Sequence, residues 1–318
     1  MKNVIKILCI LFFVYGTQLI AQQLPLTSQY LTNPYLLSPA FAGYNEGSKV
    51  FLTYRKEWGD VQGGPKTATI NTYFPVSERI WLGGEVISDQ TDISKVFKAQ
   101  LSYTYHLPLS STKHLYFSLW GGLFQNSINL NEAIVDDPSD PILIGNSQLT
   151  GTSINAGSSL IFRWRDGNFG FTAPYLFASE DAYAVGSGNN LLVIKPQLIA
   201  HITYNFRLNY NWNLQPFFVY RSIKDSPYQY DVSLLTIYKD NFWGGFMYRN
   251  SGKVGISLGG NLTKQLILNY TYELATKGMI ANPSPVHEFM IGFNIGSGEK
   301  YKSSRWRDLL NSRGYNFN

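Results

Sequence analysis

The chain has 318 residues, of which 15% are aromatic and only 15% charged, with a formal net charge of +5; average soluble domains carry ~25% charged residues. Mean hydropathy is −0.12, and no single segment reads as a membrane helix, whereas strands with one apolar and one polar face give such a value. Lys2 and Lys6, together with a tail holding Lys300, Lys302, Arg305, Arg307 and Arg313 against Glu299 and Asp308, supply the positive excess; the neutral body argues against a nucleic-acid surface.

Residues 1–21 read as a cleaved secretory signal. Lys2 and Lys6 form its basic start, Ile7 to Val14 its apolar stretch, and Leu19-Ile20-Ala21 precedes Gln22 at a small-residue cleavage site. The apolar run falls short of the ~18 residues of a membrane anchor and is interrupted by Gly16, Thr17 and Gln18. The single cysteine, Cys9, lies within it, so the processed chain has no disulfide, thiolate nucleophile or zinc–cysteine site. Residues 22–47 form a leader in which Pro25, Pro34 and Pro39 forbid a long regular element.

From residue 48 to 296 the chain alternates with period two. Phe97, Ala99, Leu101, Tyr103, Tyr105 and Leu107 alternate with Lys98, Gln100, Ser102, Thr104 and His106; after a turn at Pro108 to Lys113, Leu115, Phe117, Leu119, Gly121 and Leu123 alternate again. Opposite-facing side chains make this a hairpin with one greasy side, and its strands have the length that crosses a bilayer when tilted. The same pattern predicts strands at 48–57, 66–76, 80–90, 95–107, 114–127, 152–165, 168–177, 194–208, 212–223, 229–238, 241–250, 253–262, 265–275 and 286–295. About fourteen antiparallel strands, within 12–16, fit an all-β transmembrane barrel. Connections alternate between short turns, such as Ser77-Glu78-Arg79 and Lys239-Asp240, and mostly longer loops, Trp58 to Pro65, Ile128 to Gly151, Ala178 to Val193 and Thr276 to Pro285. Short periplasmic turns and long outer loops place the barrel in an outer membrane with both termini periplasmic. Trp58, Trp81, Trp212 and Trp243 lie near strand ends, where an aromatic belt is expected.

Chemical motifs are sparse. Gly255-Ile256-Ser257-Leu258-Gly259 has the nucleophile-elbow pattern, but lies inside an alternating run and lacks the helix that motif needs. His106, His114, His201 and His287 show no metal-ligand spacing. Asp136, Asp137 and Asp140 in the longest loop form either a solvated acidic loop or a calcium site. Gly63-Gly64-Pro65-Lys66 lacks the spacing of a phosphate loop. Asn261-Leu262-Thr263 and Asn269-Tyr270-Thr271 are sequons within predicted strands. Trp306, Leu309 and Leu310 in the tail, residues 297–318, have helical spacing among arginines: a periplasmic docking helix or a frayed end. No catalytic residue, cofactor or metal is expected.

Two stretches go beyond pattern. The leader reads Ser28-Gln29-Tyr30-Leu31-Thr32-Asn33-Pro34 and Leu37-Ser38-Pro39-Ala40-Phe41-Ala42-Gly43, and the first hairpin reads Arg55, Trp58 and Gly64-Pro65-Lys66-Thr67. With Tyr248-Arg249, Tyr270 to Glu273 and His287 to Gly292, this resembles the PorP/SprF family of type IX secretion system outer-membrane proteins. Ser38 stands where that pattern suggests asparagine, and the basic tail is longer than a minimal member needs. The resemblance implies a non-enzymatic barrel serving protein export, gliding motility or surface attachment of large adhesins. Its partners are then membrane lipid, an exported protein with a type IX C-terminal domain, and periplasmic machine subunits. A passive solute pore and an outer-membrane hydrolase are the alternatives. Tyr30, Asn33, Pro34, Pro39, Arg55, Trp58, Pro65 and Lys66 are the candidate partner or plug contacts. The leader is expected either to fold against the periplasmic mouth, to enter the lumen, or to serve as a loose tether.

Overall fold

A computed structural model describes residues 26–44, 47–58, 63–132, 148–178, 194–224, 226–276 and 285–295. Its strands are β1 (Ser48–Lys56), β2 (Lys66–Ser77), β3 (Ile80–Thr91), β4 (Ser94–Ser110), β5 (Lys113–Asn129), β6 (Gln148–Trp164), β7 (Gly167–Ala178), β8 (Gln197–Tyr204), β9 (Phe206–Arg207), β10 (Trp212–Ile223), β11 (Gln229–Tyr238), β12 (Phe242–Arg249), β13 (Lys253–Asn261), β14 (Leu266–Ala275) and β15 (Val286–Ile295). β8 and β9 are one stave broken at Asn205, since β10 pairs with both. Each strand pairs antiparallel with its sequence neighbour, and β1 pairs with β15 from Ser48↔Ile295 to Lys56↔His287. The result is a closed fourteen-stave barrel. Pairing of β1 with β15 removes the two free edges an open sheet would expose, where unpaired amides in lipid cost several kcal/mol per group.

The alternation read in the sequence is the alternation of faces. Leu101 in β4 is 76% exposed, while Lys98, Gln100, Ser102 and Thr104 are at most 7% exposed and line the interior. The outer surface carries Leu52, Ile70, Leu119, Ile154, Ile202 and Phe246, the apolar band a bilayer requires.

One expectation is corrected. Trp58 and Trp212 are exposed, but Trp81 is 3% exposed inside the barrel, and the Trp243 indole nitrogen donates to lumenal Asn269 Oδ1 at 2.8 Å. Trp81 lies opposite Thr104 in the ladder, and residues directly opposite share a face. Position along a strand sets height, but odd–even position sets the side, so a tryptophan near a strand end need not meet lipid. The signal segment, Asp136, Asp137, Asp140 and the tail lie outside the described residues.

The outward placement of Leu101, at the middle of β4, sets a first prediction. Leu101→Arg should destabilise the barrel in lipid vesicles by roughly 2–4 kcal/mol. Denaturant unfolding of vesicle-inserted protein measures this, and an unchanged midpoint refutes the assignment of that face.

Candidate functional site, a leader threaded through the lumen

The leader occupies the inside of the barrel. Its prolines break it into tight turns, Gln29–Leu31, Pro34–Leu36 and Phe41–Tyr44. Pro34 opens the second turn, where its missing N–H costs nothing, and its carbonyl accepts from Leu37 N at 3.0 Å. Pro39 does the same for the third, accepting from Ala42 N at 3.0 Å. Ser28, Gln29, Asn33, Ser38, Ala40 and Ala42 have no measurable exposure.

The contacts run the length of the lumen. Near the long-loop end, Thr27 Oγ1 donates to the Glu288 carboxylate, Ser28 N donates to Glu288 Oε2 at 3.0 Å, and Ser28 Oγ donates to Glu273 Oε1 at 2.5 Å. Asn269 Nδ2 donates to Gln29 Oε1 at 2.7 Å. Tyr30 donates to Asp231 Oδ2 at 3.2 Å, with its ring 5.5 Å from Phe217 and 5.6 Å from the Arg221 guanidinium. Halfway down, Asn33 Nδ2 donates to Asn71 Oδ1 at 2.8 Å, and the Tyr35 hydroxyl meets Ser102 Oγ at 2.9 Å with its ring stacked on Tyr73. Lower still, Thr104 Oγ1 donates to the Pro39 carbonyl at 3.1 Å, and Phe41 lies 5.1 Å from His201. At the short-turn end, Asn168 Nδ2 donates to Tyr44 OH at 3.2 Å, beneath Arg163. Thr27 and Ser28 therefore sit towards the opposite end of the barrel from Ser48, where β1 begins. The leader thus spans the lumen before turning into β1; the termini, expected on the periplasmic side, lie outside the described residues. The C-terminal end of β15, Ile295, pairs with Ser48 at the short-turn end.

Beneath the start of the leader lies a buried ion network. Arg55, 2% exposed, reaches Glu57 at 3.0 Å, Glu273 at 2.7 Å and Glu288 at 3.1 Å. Arg249 reaches Asp231 at 2.9 Å and Glu273 at 3.8 Å. Arg221 joins Asp231 at 2.9 Å, and Lys253 joins Glu57 at 2.9 Å. Among the described residues four cations face four carboxylates. Buried pairs add little net stability but are costly to break; their effect is to fix geometry. Here they aim Glu273, Glu288 and Asp231 at Ser28 and Tyr30.

Of the sequence candidates, Tyr30, Asn33, Pro34, Pro39 and Arg55 converge in this lumenal arrangement. Trp58, Pro65 and Lys66 lie apart at the long-loop rim. Trp58 and Lys66 are exposed there, and the Pro65 carbonyl accepts from Glu57 N at 2.9 Å. Arg55 points inward and Lys66 outward, so the two do not act together. Sequence reasoning missed Asp231, Glu273, Glu288, Arg221 and Arg249 as a site. The available signal was a full charge inside an alternating strand, which lipid forbids at depth on the outer face. Ser257 Oγ bonds Asn269 and Thr271, and its surroundings are those of a lumenal strand residue. His106 pairs with His114, and His201 with Asn168. Among the described residues no three His, Cys, Asp or Glu side chains are grouped to hold a metal.

Two predictions follow from the network. Arg55→Met takes the cation from Glu288 and leaves Glu273 only Arg249 at 3.8 Å, and should cost about 3–5 kcal/mol; an unchanged unfolding midpoint refutes the network. Glu57 lies just beyond β1. Burial raises its pKa, but Arg55 and Lys253 outweigh this and hold it below the ordinary 4.5. A depressed carboxylate contributes stability that is present above its unfolded pKa and lost as pH falls through the folded one. Acid unfolding of Glu57→Gln should therefore lack part of the stability loss that wild type shows below pH 4.5. Identical acid profiles count against the Glu57 pairing.

A family profile described as type IX secretion system membrane protein PorP/SprF matches residues 19–293. Among solved structures, the CymD monoaromatic hydrocarbon channel aligns with TM-score 0.53 and 12% identity, covering 89% of this chain and 96% of its own. The Acinetobacter baumannii outer membrane protein Omp33 aligns with TM-score 0.47 and 10% identity, over 80% of this chain and 100% of its own. At such identity the likeness to CymD is one of fold, that of an outer-membrane barrel. No protein of curated function matches the chain. The family match spans the leader and nearly all of the barrel, and the chain belongs to the PorP/SprF family of type IX secretion system membrane proteins.

Proposed function

We propose that this barrel is a closed, non-enzymatic partner of the type IX machinery that supports export or surface anchoring of a large secreted protein, rather than a pore for small solutes. The observation that carries the reading is the leader, whose fully buried residues fill the lumen from one end to the other. A solute channel needs an open path, whereas a partner barrel needs a rigid frame and an accessible rim. The long-loop end faces the cell surface, as in outer-membrane barrels generally. On this orientation Thr27 lies towards the surface, while Ile295, the last described residue, lies at the periplasmic end, where machine subunits are available. Trp58, Pro65 and Lys66 at the rim are the contacts offered to an exported C-terminal domain.

Planar-bilayer recording tests the closed lumen. Wild type should be silent, and deletion of residues 24–43 should open stable conductance; open wild-type channels sink the proposal. Should the deletion fail to insert, Tyr35→Ala combined with Phe41→Ala thins the plug within an intact leader and should admit intermittent current. Affinity purification from the native outer membrane tests the partner. A large exported protein should accompany wild type, and Trp58→Ala with Lys66→Glu should lower its recovery at equal barrel yield. Recovery of the barrel without any exported protein counts against the anchoring role.

A further inference from the structure

We propose that the outward face of β3–β6 binds one outer-leaflet glycolipid, with an acyl chain in an apolar groove and the sugar headgroup in a polar pocket directly above it. The groove lies on the lipid side. Leu101 projects between Gly84 and Gly121, its register partners on the flanking strands. Val86, Leu123 and Ile154 border the hollow that these glycines leave, about 610 Å³. A flat barrel wall meets lipid as a greasy surface; this one offers a furrow with walls, which holds one chain in a preferred place.

The ladder ties the furrow to the pocket. Val86, Ala99, Leu123 and Ile154 form one outward row across β3–β6. One same-face step towards the long loops comes Phe97, Gln125 and Thr152, and one further come Lys95, Ser127 and Thr150. Each step is two residues, roughly 7 Å. Here the wall hollows again, to about 710 Å³, lined by Phe97, Gln125 and the amides of Gln90, Asn129 and Gln148, with Lys95 beside the carboxylates of Asp92 and Glu132. Both volumes lie within the ~300–1,000 Å³ of small-molecule sites. The apolar-to-polar change falls within one step, which is where an amphiphile changes character too.

The lining chemistry selects the headgroup. A carboxamide both donates and accepts, so a set of amides matches neighbouring sugar hydroxyls. Gln125 Nε2 donates to Thr152 Oγ1 at 3.2 Å and Asn129 Nδ2 to Glu132 Oε1 at 2.9 Å, which holds both amide planes fixed. Phe97 gives an apolar floor for a ring's C–H face, and the Asp92 and Glu132 carboxylates beside Lys95 add acceptors for further sugar hydroxyls. A zwitterionic phospholipid headgroup has too few hydroxyls to use this many amides. The inference rests on the surface-facing orientation above, because only the outer leaflet presents glycolipid at that height. The binding test itself needs neither that orientation nor the exported partner.

The full-length barrel is purified in detergent and offered rough lipopolysaccharide or phosphatidylethanolamine, with retained lipid read by native mass spectrometry. Wild type should keep one lipopolysaccharide per barrel and exchange phosphatidylethanolamine freely. Gly121→Leu fills the furrow; a Cβ there meets only Asn155 O at 3.9 Å, so the barrel should fold. Its retention of lipopolysaccharide should fall roughly tenfold. Gly244→Leu, on the distant β12, is the folding control and should retain lipid as wild type does. Gln125→Ala with Gln148→Ala should lower retention while leaving the apolar furrow intact. Equal retention of both lipids by wild type, retention of neither, or unchanged retention by Gly121→Leu overturns the proposal. Surface labelling of intact cells at a cysteine placed at Lys66 separately tests the orientation.

Discussion

A bilayer offers no hydrogen bonds, and the rest of this structure answers that one constraint. Backbone amides must pair within the protein, so the strands close on themselves through β1 and β15. Closure creates an interior, and the period-two pattern that makes the outside apolar makes that interior polar. A polar interior of this width must be either wet or filled. Here it is filled by a segment of the same chain, and the leader's hydroxyls, amides and aromatic rings are the complement of the wall.

The ion network is the stiffest part of that complement. Arg55 and Arg249 are among the largest fully buried side chains, and both contact Glu273. Because Glu273 and Glu288 also accept from Ser28, the wall's charges and the leader's register are one problem. Moving the leader by a single residue would strand carboxylates and place an apolar side chain against them. The lower half relies instead on rings, where Tyr35, Phe41 and Tyr44 pack against Tyr73, His201 and Tyr116.

The fold was legible to the extent that it is local. Alternation in β4 and β5 shows directly which side chains meet lipid, but the turn expected at Pro108 to Lys113 is tighter, since β4 runs on through Pro108 to Ser110 and β5 begins at Lys113. Counting such runs yields the fourteen staves, the short two-residue β9 excepted. The leader's route was not legible, since nothing in Ser28-Gln29-Tyr30 says that their partners lie more than two hundred residues away. The same holds for Trp81 and Trp243, whose inward side depends on register with a neighbour. Charged residues inside alternating strands, Arg55, Asp231, Arg249 and Glu273, were the readable trace of the site. A charge there must face the lumen, but which opposite charge it meets depends on barrel closure.

The distance along the chain between Thr27 and Glu288, 261 residues, has a consequence for assembly. The leader emerges first during synthesis, yet its uppermost contacts belong to the last strand made. Those contacts cannot form until β15 arrives, and β15 cannot complete its ladder until β1 is within reach. Seating the leader and sealing the seam are therefore the same late event, with high contact order and a correspondingly slow rate. Until then the leader is a thread lying across an open sheet, around which the wall is wound.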